Sequence, residues 1–153
     1  MSNDPRRGEN NSSLRPETYE VIIIGSGPAG YTAGVYTSRA KLNTLLISGS
    51  LPGGQLMTTS EVENYPGFPN GIFGPELMMN MRQQAERFGA KLLDDEVVEV
   101  DFKKRPFGIR THGQEFRSES VVICTGASPR KLGLRAEQEF AGKGISYCAT
   151  CDG

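Results

Sequence analysis

The stretch Tyr19-Glu20-Val21-Ile22-Ile23-Ile24-Gly25-Ser26-Gly27-Pro28-Ala29-Gly30 decides how this chain folds. Val21 to Ile24 form an unbroken β-branched run, the pattern of a strand covered on both faces, as in a parallel sheet. Gly25, Gly27 and Gly30 then spell G-x-G-x-x-G, and Tyr31 to Ala40 reads as a helix. The glycines therefore sit at a strand-to-helix turn, the context this fingerprint requires. Gly25 permits the tight turn, Gly27 lets a pyrophosphate approach the backbone, and Gly30 lets the helix pack closely on the strand. The free N–H groups and positive dipole end of the helix would face the phosphates. Pro28 lies near the helix start, where a missing N–H costs little. The reading is a Rossmann-like β-α-β unit that binds a dinucleotide; its rival is a glycine-rich turn with no ligand.

A chain of 153 residues suits one ordinary domain, which buries about 70% of its unfolded surface and so can form a real core. A net charge of -1 indicates neither a nucleic-acid footprint nor a basic membrane face. The segment Met1 to Pro16 is polar, rich in Asn, Ser and Arg, and reads as part of a disordered tail over residues 1–18. Arg6-Arg7 is not followed by an apolar stretch, which argues against a secretory or twin-arginine signal. No run approaches membrane-spanning length, so the expectation is a cytoplasmic protein.

Thr44 to Ile47 reads as the second parallel strand. The fingerprint predicts an acidic residue at its end to hold ribose hydroxyls, and Ser48 stands there instead. Ser48 to Asn70 is punctuated by glycine and proline, and loops of that length are functional or disordered. Gln55, Thr58, Thr59 and Asn64 within it suit the carbonyls and ring nitrogens of a flat heterocycle, or else simply face solvent. Gly74-Pro75-Glu76 starts a helix, and Leu77, Met81, Ala85 and Phe88 recur at helical spacing before Gly89 stops it. Met78, Met79 and Met81 read as core and edge packing. Lys91 to Leu93 is a third short strand. Val97 to Phe102, Phe107 to Thr111 and Glu115 to Arg117 form an antiparallel β-meander. Ser120 to Cys124 is a further buried strand, with Cys124 an inert small hydrophobe and His112 a solvated turn residue.

Three cysteines are too few for a secreted disulfide scaffold. Cys148-Ala149-Thr150-Cys151 is a C-x-x-C pair, which can close a small disulfide ring and open to a dithiol. Exchange needs a thiolate, so one sulfur needs a lowered pKa or a nearby base. Asp152 could pass a proton to or from the pair. The main rival is a zinc half-site. Structural zinc needs four ligands, and neither Cys124 nor His112 has the spacing, so no metal site is expected.

Taken together these residues resemble the N-terminal part of low-molecular-weight thioredoxin reductases. The matching pieces, in the family's order, are Gly25-Ser26-Gly27-Pro28-Ala29-Gly30, Gly53-Gly54-Gln55-Leu56, Glu61 to Gly67, Thr125-Gly126-Ala127 and Cys148 to Gly153. The resemblance implies an oxidoreductase that moves electrons from NADPH through FAD to the cysteine pair and on to thioredoxin. Gly25 to Gly30 would hold the pyrophosphate, and the stretch Ser48 to Gln55, with Gly49, Gly53 and Gly54 in it, would wrap the ADP half, Leu56 joining the cofactor contacts. Asn64 would lie by the flavin ring, the Val97 backbone by the adenine, and Thr125 to Ala127 would complete the site. Cys148 and Cys151 would be the redox pair, Cys151 the better candidate to face the flavin, and Asp152 the acid-base partner.

The implied fold is α/β: a Rossmann-like FAD-binding β-α-β with parallel sheet plus an antiparallel β-meander, incomplete relative to the family's two-domain fold. Residues 19–126 would be the FAD-binding part, and residues 127–153 the start of an NADPH and redox-disulfide domain. A homodimer is implied for the full enzyme. No second glycine fingerprint follows Gly30, so the expectation is that this chain alone lacks the NADPH site, does not turn over with NADPH and holds FAD weakly. Two alternatives stand beside this: a non-catalytic nucleotide-binding fragment, and a related flavin reductase serving a peroxidase or ferredoxin.

Overall fold

The computed structural model describes residues 16–141 and 143–148. In chain order the elements are β1 (Glu17–Ile24), α1 (Pro28–Arg39), β2 (Thr44–Ile47), β3 (Glu61–Val62), β4 (Ile72–Phe73), α2 (Gly74–Arg87), β5 (Lys91–Leu93), β6 (Val97–Asp101), β7 (Phe107–Thr111), β8 (Glu115–Ile123) and α3 (Ala136–Phe140). A 3-10 turn covers Gly54–Thr58. The main sheet has six strands in the order β5-β2-β1-β8-β7-β6. β1 lies inside it with β2 parallel on one side and β8 parallel on the other. The register sets Ile24 beside both Ile47 and Ile123, so three strands end together along one edge. β5 extends the parallel part beyond β2, and β7 and β6 add the antiparallel meander beyond β8.

The isoleucine run does what its composition dictates. Ile22 and Ile23 are both fully buried, on opposite faces of the sheet. Val21, Ile23 and Leu46 pack with α1 and α2 through Val35, Leu77, Met78, Met81 and Ala85. Ile22, Ile24, Leu45 and Ile47 pack on the other side with Ile109 and Phe116 of the meander. Burial of each such side chain contributes roughly 1.5–3 kcal/mol, which makes the two clusters the main source of stability. The methionines divide as their helical spacing predicts: Met78 and Met81 are buried and Met79 faces solvent.

Three boundaries differ from the sequence reading. Glu115 to Arg117 and Ser120 to Cys124 are one strand, not two. Pairing with β1 keeps one register from Glu17↔Phe116 to Ile24↔Ile123, and buried Ser118 satisfies its hydroxyl by donating to the Ser120 carbonyl at 2.6 Å. The same pairing recruits Glu17 and Thr18, which the sequence places in the tail, opposite Phe116 and Arg117; residues 1–15 lie outside the described residues. Finally, the stretch from Ser48 to Asn70 is not irregular throughout, since it holds the 3-10 turn and β3, which pairs antiparallel with β4.

The junction between β1 and α1 is the tightest point of the fold. Gly25 has φ +105°, the left-handed region that favours glycine. A Cβ on Gly30 would stand 1.9 Å from the Gly25 carbonyl oxygen, so only a hydrogen fits there. A Cβ on Gly27 would meet nothing within 4 Å. Gly30→Ala is therefore expected to lower the unfolding free energy by roughly 3 kcal/mol, since backbone cannot yield as a side chain can. Gly27→Ala should leave it unchanged or raise it by up to about 1 kcal/mol. Urea titration followed by circular dichroism measures both; equal losses in the two variants would refute the assignment.

Candidate functional site

Where β1, β2 and β8 end side by side, the loops leaving them enclose a cleft of about 370 Å³. In open α/β sheets a ligand crevice forms outside the carboxyl ends, where neighbouring strands lead off to opposite sides. The turn from Gly25 to Pro28 supplies one part of the lining. Ser48 to Leu51 and Gly54 to Leu56 supply a second, and Cys124 to Ser128 a third, with Glu96 and Val97 completing it.

Ser26 fastens these parts together. It is buried, and its hydroxyl donates to the Ser48 carbonyl and accepts from the Gly53 N–H, each at 2.9 Å. Its own N–H donates to the same Ser48 carbonyl at 3.2 Å. One serine thus ties the turn after β1 to the loop after β2. That loop is tied onward, because Ser48 N–H donates to the Leu93 carbonyl at 2.9 Å and Gly49 N–H to the Asp95 carbonyl at 3.0 Å. Gln55 Nε2 donates to the Ala127 carbonyl at 3.4 Å, linking the second part of the lining to the third.

The start of α1 opens on this cleft. Its N-cap is Gly27, no side chain caps it, Pro28 occupies the first turn, and that turn holds no acidic residue. Helix N-termini leave backbone N–H groups unpaired and carry partial positive charge. A methyl on Gly54 would lie 3.3 Å from the Gly27 Cα, so the glycine loop crosses directly over the turn. An uncapped helix start of this kind suits an anion.

Of the residues singled out in the sequence, Gly25, Ser26, Gly27, Pro28, Ser48, Gly49, Gly54, Gln55, Leu56, Val97, Thr125, Gly126 and Ala127 line this one cleft. Ala29 and Gly30 stand behind it in the first turn of α1, Ala29 exposed and Gly30 buried against Gly25. Gly53 is buried, with its N–H held by Ser26. Asn64 is exposed in the loop between β3 and β4 and is not among the lining residues of this cleft. The Thr58 and Thr59 hydroxyls both donate to the Gln55 carbonyl, at 2.9 and 3.3 Å, and so brace the 3-10 turn.

Ser50 and Leu51, inside the Ser48 to Gln55 stretch, also line the cleft, as do four residues to which the sequence reading gave no binding role: Ile24, Glu96, Cys124 and Ser128. Glu96 is the notable one. The fingerprint places an acid after β2, whereas here the acidic residue in the lining comes from the loop after β5. The acidic run Asp94-Asp95-Glu96 was visible in the sequence, but only the pairing of β5 with β2 brings it there.

Cys124 is a free thiol. Burial pushes the Cys124 thiol pKa up, which keeps it protonated and unreactive. The Cys148 N–H donates to Ser146 Oγ at 3.0 Å. Cys148 is not part of the cleft lining, and Cys151 and Asp152 lie outside the described residues. His112 is exposed, 3.9 Å from the Glu96 carboxylate. Among the described residues no group of three or more His, Cys, Asp or Glu could hold a metal ion, and no helix is long and apolar enough to cross a membrane.

Comparison with known proteins agrees with this geometry. A thioredoxin reductase of Rickettsia bellii is 55% identical over 137 residues, which cover 89% of this chain and 44% of that protein. One from Streptomyces coelicolor is 56% identical over 135 residues, 87% of this chain and 42% of that protein. Among solved structures, thioredoxin reductase from Giardia duodenalis superposes with a TM-score of 0.81 at 41% identity, over 89% of this chain and 44% of the other. The chain thus spans less than half the length of the relatives it matches. The family model described as pyridine nucleotide-disulphide oxidoreductase matches residues 19–153. With its β-α-β glycine turn, its cleft at the carboxyl ends of parallel strands and this match, the chain belongs to the pyridine nucleotide-disulphide oxidoreductase family.

Proposed function

We propose that this chain carries the FAD site and redox disulfide of a thioredoxin-disulfide reductase, in which electrons pass from NADPH through FAD to Cys148 and Cys151 and on to thioredoxin. The observation that carries the reading is the convergence of the β1–α1 glycine turn, the Gly54–Leu56 loop and Thr125 to Ala127 on one cleft. Residues 19–126 are proposed as the FAD-binding part, and residues 127–153 as the beginning of the domain that holds the disulfide.

The residues present fit a flavin dinucleotide. Gly27 leaves open space at an uncapped helix N-terminus, where two phosphates can approach the backbone. The Ser26 hydroxyl is already committed to Ser48 and Gly53, so its proposed role is to hold the cleft's shape. Ser48 likewise donates its hydroxyl to the Gly49 carbonyl, at 3.1 Å, leaving backbone as the main contact there. Glu96 replaces the expected acid as a candidate partner for ribose hydroxyls. Bound FAD supplies two-electron chemistry that converts a disulfide to two thiols with uptake of two protons. Asp152 is proposed to relay one of those protons. A thiolate of the pair then attacks the acceptor disulfide, and the second cysteine resolves the mixed disulfide.

Two measurements test this reading. In a fluorescence titration, FAD should bind the purified chain, and Gly27→Ala should weaken binding at least tenfold (about 1.4 kcal/mol) without loss of stability. Ser26→Ala should weaken binding and also cost about 1–3 kcal/mol of stability, since the Gly53 N–H is left without its acceptor. An unmodified chain that does not bind FAD sinks the proposal. Thiol titration before and after treatment with dithiothreitol should show a gain of two thiols; no gain would mean that the cysteine pair does not cycle.

A further inference from the structure

Glu137 is an acidic side chain with no place in the cleft, yet it is 4% exposed. Four donors converge on its carboxylate. Oε1 accepts from the Leu132 N–H at 2.6 Å and from the Tyr147 hydroxyl at 2.8 Å. Oε2 accepts from the Gly133 N–H at 2.6 Å and the Leu134 N–H at 2.9 Å. Three successive N–H groups curled around one anion form a backbone nest, opened here by Gly133 at φ +81°. Hydrogen bonds to an ionised carboxylate are stronger than neutral ones. These donors, that of Leu132 first, hold the Glu137 carboxyl below its ordinary pKa and keep it charged.

The fourth donor gives this clamp its consequence. Tyr147 immediately precedes Cys148, and the backbone of Cys148 is itself held by Ser146, whose hydroxyl accepts from the Cys148 N–H and donates to the Cys148 carbonyl at 3.2 Å. On the other side, the chain leading to Ser146 is tied to the end of α3, with the Ile145 N–H donating to the Phe140 carbonyl at 3.0 Å. Leu132, Gly133, Leu134, Glu137 and Tyr147 belong to neither apolar cluster. Polar contacts, rather than apolar burial, therefore hold the segment that carries the cysteine.

We propose that Glu137 is a positioning residue for the Cys148 disulfide: its carboxylate fastens Tyr147, and so the backbone carrying the Cys148 sulfur, to the loop of Leu132 to Leu134. This rests on the reading of Cys148 and Cys151 as a redox pair. Fixing one sulfur's backbone raises the effective concentration of the pair and favours the closed ring over the open dithiol. Loosening the clamp therefore makes the disulfide easier to reduce, while the distant apolar clusters keep the chain folded.

The test equilibrates the 153-residue chain with mixtures of reduced and oxidised dithiothreitol, alkylates it and counts free thiols by mass. Tyr147→Phe removes one contact and leaves the three N–H bonds, so it remains informative even where Glu137→Gln fails to fold. Both variants should become half-reduced at a reduced-to-oxidised ratio at least threefold lower than the parent, with an unchanged urea midpoint. Leu132→Ala keeps its backbone N–H and should match the parent. Shifts under twofold in Tyr147→Phe and in folded Glu137→Gln overturn the proposal, as does an equal shift in Leu132→Ala. A parent that gains no thiols at any ratio overturns the redox reading itself, and the positioning role with it.

Discussion

The contact between Gly30 and the Gly25 carbonyl governs the geometry of the rest. Because position 30 carries only a hydrogen, the first turn of α1 can press against the turn that ends β1. That contact sets the angle at which the helix leaves the sheet, and so the direction of its uncapped N-terminus. The strand supplies the rigidity that makes this work, since it is paired on both sides and buried on both faces.

Ser26 extends this control from the turn to the cleft. Two hydrogen bonds through one buried hydroxyl fix the Ser48 and Gly53 backbones, which then set where the Gly54 loop crosses the turn. A typical hydrogen bond contributes about 1 kcal/mol net, but leaving a buried partner unsatisfied costs more. The serine is thus worth more as a fastener than its size suggests. Surface ion pairs matter less. Arg82 meets Asp94 through two parallel bonds at 3.1 Å, joining α2 to the loop after β5, yet both side chains are partly exposed and such pairs contribute about 0–1 kcal/mol.

Two different kinds of cohesion operate along the chain. The sheet and its two main helices are held by apolar clusters, whose side chains cannot leave without exposing large area. Beyond Ile123 the chain carries Leu132, Leu134 and Phe140 largely exposed, and its order comes from the Glu137 carboxylate and short backbone turns. Segments with few buried apolar contacts open at lower free energy than a core does.

The sequence by itself determined the β1–α1 unit, the second strand, the amphipathic helix α2 and the parallel-plus-meander architecture. Each of these follows from local chemistry: β-branched runs, glycine spacing, proline at a helix start and a 3.6-residue apolar period. It also marked most residues that line the cleft, because glycine turns signal close backbone approach at the place where they occur. Tertiary structure decided what no local pattern encodes. It merged two strand segments into β8 because β1 pairs with it from Phe116 to Ile123, and it left Asn64 exposed in the β3–β4 loop. It brought Glu96 to the cleft in place of an acid after β2, and closed the Glu137 carboxylate on a tyrosine ten residues further along. Those outcomes depend on which strands pair and where the chain turns back, and such long-range pairing is written in no single stretch of residues.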